Sequence, residues 1–286
     1  MNTSVLTRAP APGTRARAAA RGVPPVTVLL SAAVIVVVLA WSAFPGLLTG
    51  HDPAHGIPDH KFVAPSWQYW LGTDHLGRDL LTRIIHGSAS SMTSALIAVA
   101  IGVAVGGLLG LLGGYLGGWV DAVIGRLVEV LLAIPGFLLA VVVVTALGYD
   151  TRNAAIATGV SAVAVFARLM RSEVLRVRTS VFIEAARVNG GSTGYVLARH
   201  VLPNALRPVL SLAVLQFGIA ILVIAGLAFL GYGDPPPASD WGLLVSDGRE
   251  HLLHAPWLVI APGLVIAVVV LSVSRISRWL DQERTR

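Results

Sequence analysis

Residues 184–206 read EAARVNGGSTGYVLARHVLPNAL, a polar, arginine-bearing, glycine-broken stretch between two long apolar runs. Local chemistry predicts its shape. Ser180 is placed to cap a short helix over residues 181–189, and Glu184 falls in its first turns, where the helix dipole favours an acid. Ala185 and Ala186 keep one side of that helix thin. Gly190 and Gly191 end it, because glycine takes the left-handed cap conformation cheaply. Ser192 can cap a second helix running to about His200, which Leu202 and Pro203 stop ahead of the next apolar run. Two short helices around a glycine joint suit insertion into a groove on a soluble partner. An ordinary amphipathic loop fits the same residues.

The surroundings say what this stretch is attached to. Of 286 residues, 55% are hydrophobic and only 13% charged, with a mean hydropathy of +0.76; soluble domains carry about 25% charged residues. Apolar runs near the ~20 residues that cross a ~30 Å hydrocarbon core predict an all-α integral membrane protein. Its six spans lie near residues 26–48, 93–116, 123–147, 154–170, 206–230 and 257–273. The organisation that follows is a disordered cytoplasmic tail (1–22), a first transmembrane helix (23–50) and an extracytoplasmic loop with an amphipathic segment (51–91). A core of five further spans (92–280) holds the two short helices (about 180–202), and a cytoplasmic tail (281–286) closes the chain. A cleaved signal peptide is the rival reading of the first span. Its apolar run exceeds the usual signal length, and no clear A-x-A site follows.

Arginine placement orients the spans. With the N-terminus inside, all of the 21 basic residues except Lys61, Arg78, Arg83, Arg152 and Arg249 fall in inner segments. Nine of the fifteen acids fall in outer ones. This is the positive-inside pattern, and it accounts for the net charge of +6 without nucleic-acid binding. The opening stretch then lies on the cytoplasmic side, between spans four and five.

Within the spans, Gly102, Gly106, Gly110, Gly114 and Gly118 recur every four residues. That spacing sets them along one inclined ridge where a neighbouring backbone can approach closely; a gliding surface is a second reading. Arg126 and Glu129 share a face of span three and can pair near the cytoplasmic interface. Pro135 then kinks that span. No other span has an ionisable group near its centre, which argues against a proton- or ion-coupled secondary transporter.

Chemistry of the chain's own is hard to find. Cysteine is absent, so thiolate catalysis and Cys-metal sites are excluded. The only lysine is Lys61, so the Gly-Lys-Ser/Thr of a phosphate-binding loop is missing. The eight histidines are read as lying in loops or at span ends, and no H-E-x-x-H occurs, so neither a buried Ser/His pair nor a zinc protease is expected. His51, His55, Asp59 and His60 form an outer cluster whose donors suit nickel or zinc, yet Pro53, Gly56 and Pro58 break the helix that would align them, and a solvated loop is the reading adopted. Asp74, Arg78 and Asp79, with Leu80, Leu81, Ile84 and Ile85, suggest an amphipathic segment along the outer interface.

A resemblance resolves the opening stretch. Glu184, Ala185, Ala186, Gly190, Leu202 and Pro203 reproduce the pattern of the "EAA" loop of ABC importer permeases, with His200 at a position often held by Ile. LGTDHLGRDLLTRIIHG (71–87), GGYLGGWVDAVIGRLVEVLLAIP (113–135) and FLGYGDPPPASDWGLLVSDGREHLL (229–253) are similar to the second permease subunit of dipeptide, oligopeptide and nickel importers. The resemblance covers residues 71–263. It implies six spans with cytoplasmic coupling helices, in which Glu184, Ala185, Ala186, Arg187, Gly190, His200, Leu202 and Pro203 contact an ATPase. It also implies a sister permease, two cytoplasmic ABC ATPase subunits that hold the ATP and magnesium, and an extracytoplasmic binding protein delivering short peptides. No cofactor is expected in this chain. Its other partner is membrane lipid, with no nucleic acid. Nickel complexes are the alternative cargo, and an ATP-independent channel or secondary transporter is the alternative class.

Overall fold

The computed structural model describes residues 25–285; the tail expected over residues 1–22 lies outside them. Among the described residues every regular element is helical, and the one β-contact is an isolated bridge between Thr73 and Asp79.

Local chemistry sets the helix ends. α1 (Val26–Ala43) stops at Phe44, because Pro45 starts the single turn α2 (Pro45–Leu48) instead of extending it. After a long loop, α3 (Leu80–Ile101) starts on Asp79, whose carboxylate accepts the Thr82 N–H at 2.9 Å. A wide π-turn (Gly102–Gly106) runs straight on into α4 (Gly107–Leu116). α5 (Gly118–Ala133) and α6 (Gly136–Leu147) meet at a 95° bend across Ile134 and Pro135. α7 (Thr151–Arg178) starts on Asp150, which accepts the Asn153 N–H at 2.6 Å. The short α8 (Val181–Val188) and α9 (Thr193–Val196) follow, then a second π-turn (Leu197–Val201). α10 (Leu202–Phe229), α11 (Trp241–Arg249) and α12 (Trp257–Thr285) complete the chain. Among the described residues five helical runs are long and apolar enough to cross a membrane, and the bent α5–α6 pair makes a sixth if it counts as one span.

α7 is the central column, packed by α3, α4, α5, α6 and α10. The glycine ridge is what lets α3 and α4 come close to it. A Cβ on Gly102 would sit 2.7 Å from the Phe166 ring, and one on Gly114 2.9 Å from the Arg171 carbonyl oxygen. On Gly106 or Gly110 it would collide with the carbonyls of Val163 and Ala167. Gly118 does not belong to the ridge. The helix breaks at Gly117 (φ 69°), and Gly118 (φ 57°) has nothing within 4 Å of a Cβ, so it serves the turn into α5.

The outer segment also departs from expectation. The run from Asp74 to Ile85 does not lie along the membrane interface: Asp74, Arg78, Leu80, Arg83, Ile84 and Ile85 are buried in the protein. One carboxylate explains how. Asp74 accepts from the N–H groups of Leu76 (2.8 Å) and Arg78 (3.0 Å), from Arg78 Nε (2.6 Å) and from Arg83 Nη1 (2.9 Å). Arg83 Nη2 donates to the Ala238 carbonyl at 2.9 Å. Paired this way, two guanidiniums can be buried at tolerable desolvation cost. They fasten the loop before α3 to the segment before α11. Trp241, fully buried, donates its indole N–H to the Ile84 carbonyl at 3.0 Å, and Asp240 accepts from Ser91 Oγ at 2.9 Å.

The histidines scatter rather than cluster. His55 Nδ1 pairs with Asp52 at 2.8 Å and His60 Nδ1 meets the Tyr69 hydroxyl at 2.6 Å, while the His51 ring packs on Tyr69. Among the described residues no three His, Asp or Glu side chains are grouped as a metal site. His86 is not in a loop: it is half-buried near the start of α3, 3.2 Å from Thr49 Oγ1.

Candidate functional site

The stretch that opened the analysis folds as one projecting unit after α7. Ser180 occupies the N-cap of α8, but its hydroxyl donates back to the Val177 carbonyl at 2.6 Å and makes no cap bond to α8. On α8 only Ile183 is buried, with Ala186 half-buried beside it, packed in the cluster that includes Val196 and Val201. Glu184, Ala185, Arg187 and Gly190 are exposed. Gly190 has φ 83° and open space around a Cβ, so glycine is required there by backbone conformation, not by crowding. The chain then turns back, with the Gly191 N–H donating to the Ala186 carbonyl at 3.0 Å.

The joint to span five differs from the expected break. Ser192 does cap α9, accepting the Tyr195 N–H at 3.4 Å. Pro203 does not stop the helix that follows, and Thr193–Phe229 is one run of 37 residues. The π-turn is the reason. The Leu202 N–H donates to Leu197, five residues back, and this widened turn makes room for a pyrrolidine ring that a tight turn would exclude. Asn204 Nδ2 returns to the His200 carbonyl at 2.7 Å. His200 is half-buried, its ring edge-on to Tyr195, and Pro203 is exposed.

Two contacts tie the unit to the glycine-rich helices. The Tyr115 hydroxyl, at the end of α4, donates to the Thr193 carbonyl at 3.0 Å. Arg178 Nη1 donates to the Gly114 carbonyl at 2.7 Å. Neither residue stood out in the sequence, because each contact joins residues far apart in the chain. Also missed were the apolar residues around Glu184: Val181 and Val188 are 81% and 83% exposed, and Phe182 and Tyr195 are about half exposed. Their signal was present, since apolar side chains flanking a charged helix outside any span have no bilayer to bury them. Arg126 and Glu129 meet at 3.2 Å as expected, with both side chains exposed, so the pair contributes little to stability.

Comparison with known proteins fits this geometry. Residues 102–286 match the family described as binding-protein-dependent transport system inner membrane component. The dipeptide transport system permease protein DppC of Alkalihalophilus pseudofirmus is 39% identical over 237 residues, covering 83% of this chain and 78% of that protein. The probable D,D-dipeptide transport system permease protein DdpC of Escherichia coli K12 is 37% identical over 242 residues, covering 85% and 81%. The glutathione transport system permease protein GsiD of Shigella flexneri is 39% identical over 214 residues, covering 75% and 71%. Among solved structures, the MetNI methionine ABC transporter in inward-facing conformations aligns with a TM-score of 0.55 at 16% identity, over 70% of this chain and 97% of that one. An amino acid ABC transporter with histidines aligns with a TM-score of 0.55, also at 16% identity, over 71% and 94%. Multiple apolar spans, a glycine-ridged run packed on a central column, a projecting pair of short helices and these matches lead to one conclusion: the chain belongs to the inner membrane components of binding-protein-dependent transport systems, and is a permease subunit of an ABC importer.

Proposed function

We propose that this permease carries short peptides and is driven through the segment Ser180–Pro203. The reading of the cargo rests on one observation: the three relatives described above are named for dipeptides, D,D-dipeptides and glutathione. A binding protein delivers the peptide on the outer side, and a sister permease completes the path. Two cytoplasmic ATPases bind the ATP that this chain has no loop to hold. Both termini are cytoplasmic.

The coupling roles follow from the local geometry. Glu184 makes a polar contact in the ATPase groove, with Val181, Phe182, Val188 and Tyr195 forming the apolar rim around it. Ala185 and Ala186 allow close approach, and Gly190 sets the angle between the two short helices. When the ATPases close on ATP, the segment moves. Arg178 and Tyr115 pass that movement to the end of α4, and the spans rock against those of the sister subunit.

The test is ATP hydrolysis by the reconstituted complex, with its binding protein loaded with a peptide mixture or with nickel. Stimulation by peptide is expected. Stimulation by nickel alone would reassign the cargo to metal complexes, and stimulation by neither would remove the support for peptides.

A further inference from the structure

A slot runs along the surface of the molecule between α1 and α12, apart from the coupling segment. Its volume is about 440 Å³. α1 lines it with Leu30, Val34, Val37 and Trp41, and α12 with Leu264 and Val268. Its lining side chains are all apolar except for the Trp41 indole N–H. Leu30, Val37, Leu264 and Val268 are exposed. Both helices are long and apolar enough to span the membrane. The slot therefore faces hydrocarbon, and left empty it would forfeit the contacts of its walls. An acyl chain or another helix has to fill it.

The slot ends on a charge. Thr27 stands one turn before Leu30 on α1, and Arg275 two turns beyond Val268 on α12, so both continue the lining faces. They meet there: Arg275 Nε and Nη2 donate to Thr27 Oγ1 at 3.2 and 3.0 Å. Among the described residues Arg275 forms no salt bridge, and these two bonds leave further guanidinium donors to spare. By helical rise it lies roughly 27 Å along α12 from Trp257. That is the edge of a ~30 Å hydrocarbon core, the depth of a headgroup.

Shape and charge together choose the occupant. A helix as long as the slot, roughly 16 Å from Leu30 to Trp41, fills roughly 1,300 Å³, about three times the space. Laid over the end, an apolar helix would also bury the guanidinium without a counter-ion. A phospholipid meets both demands. Its acyl chain suits the slot, and its phosphate suits a guanidinium, which binds such groups through paired N–H donors.

We propose that the slot is a binding site for one phospholipid, its phosphate held by Arg275 and Thr27 and one acyl chain lying along residues 30–41. Arg275 turns its spare donors to the phosphate oxygens. Thr27, which accepts from Arg275, donates its hydroxyl hydrogen to the same group. The lipid fills the seam beside α1, the least buried of the five long spans. This site is independent of the cargo.

The experiment is photo-crosslinking of the full complex in phosphatidylcholine nanodiscs. The probes are phosphatidylglycerol with a diazirine on one acyl chain, and diacylglycerol with the same chain. Relative to the rest of the protein, phosphatidylglycerol is expected to label residues 30–41 and 264–269 about tenfold more than diacylglycerol does, the worth of one charge-assisted hydrogen bond. Arg275→Gln should bring that ratio to about one. Arg275→Lys should keep most of it, which a merely misfolded variant cannot do. Ala33→Phe, at an exposed alanine of the slot wall, should lower labelling by both probes with Arg275 in place. A ratio near one in wild type, or an unchanged ratio in Arg275→Gln, overturns the proposal. Silence of both probes at the slot, with labelling elsewhere, overturns it in favour of a helix from the sister subunit or a second copy.

Discussion

Glu184 and Gly190 are exposed and touch little of their own chain, so replacing them tests coupling more than folding. Glu184→Arg reverses the charge offered to the partner. Gly190→Val forces a β-branched side chain into φ 83°, at a cost of order 1–3 kcal/mol, and changes the angle between the short helices. Both are expected to abolish peptide uptake in vesicles while the protein still inserts; normal uptake in both would refute the coupling role. The ridge glycines predict the opposite outcome. Gly110→Val must push into the Ala167 backbone and should cost about 1–3 kcal/mol by overpacking, read as a lower melting temperature in detergent. Gly125→Ala, with nothing within 4 Å, should not lower it. Spacing alone revealed the ridge from Gly102 to Gly114, because four-residue steps on one helix are a local pattern. It misassigned Gly118, because the break at Gly117 depends on backbone angles that spacing does not encode.

Among the elements, the cap that the loop before α3 forms with the segment before α11 is where sequence reasoning failed most clearly. Arg78, Arg83 and the leucines and isoleucines around them read as an interfacial amphipath. What buries them is the Ala238 carbonyl, 155 residues away from Arg83, and no local window contains that. Asp74→Ala would leave two buried guanidiniums without their shared carboxylate. The expected loss is about 3–5 kcal/mol, measured as faster hydrogen exchange through residues 56–85. The cap also has a pH sense. Burial pushes the Asp74 carboxyl up, but the Arg78 and Leu76 N–H groups and the two guanidiniums outweigh it, and the net shift is downward. A carboxyl lowered by folding contributes stability above its ordinary range and loses it as pH falls through the lowered value. Exchange in the cap should therefore rise on acidification below the ordinary aspartate range, and a flat profile would show that Asp74 is not its clasp. Asp240 has the opposite sense, because burial raises its carboxyl; its contribution is fullest in acid and declines as pH climbs through the raised value.

At the scale of the whole molecule, the membrane class was legible because hydropathy needs no tertiary information. The run 123–147 read as one span, although the structure bends it by 95°; Pro135 marked the kink without its size. The ABC class makes a direct prediction. Vesicles holding this chain and its sister permease without the ATPases should show no peptide accumulation, and uptake that survived their removal would restore the channel or secondary-transporter alternative. Pro203 looked like a joint, yet Thr193–Phe229 is unbroken over 37 residues, roughly 55 Å of helix. Its far end is held by α11: the Phe229 carbonyl accepts from Ser246 Oγ at 3.0 Å, and Gly242 presses on the Ala225 backbone. The helix is continuous yet has two soft places near α9, the widened turn at Leu197–Val201 and Pro208, which lacks the N–H of a helical bond. A displacement imposed on α9 reaches the end under α11 reduced by whatever bending those two places take up.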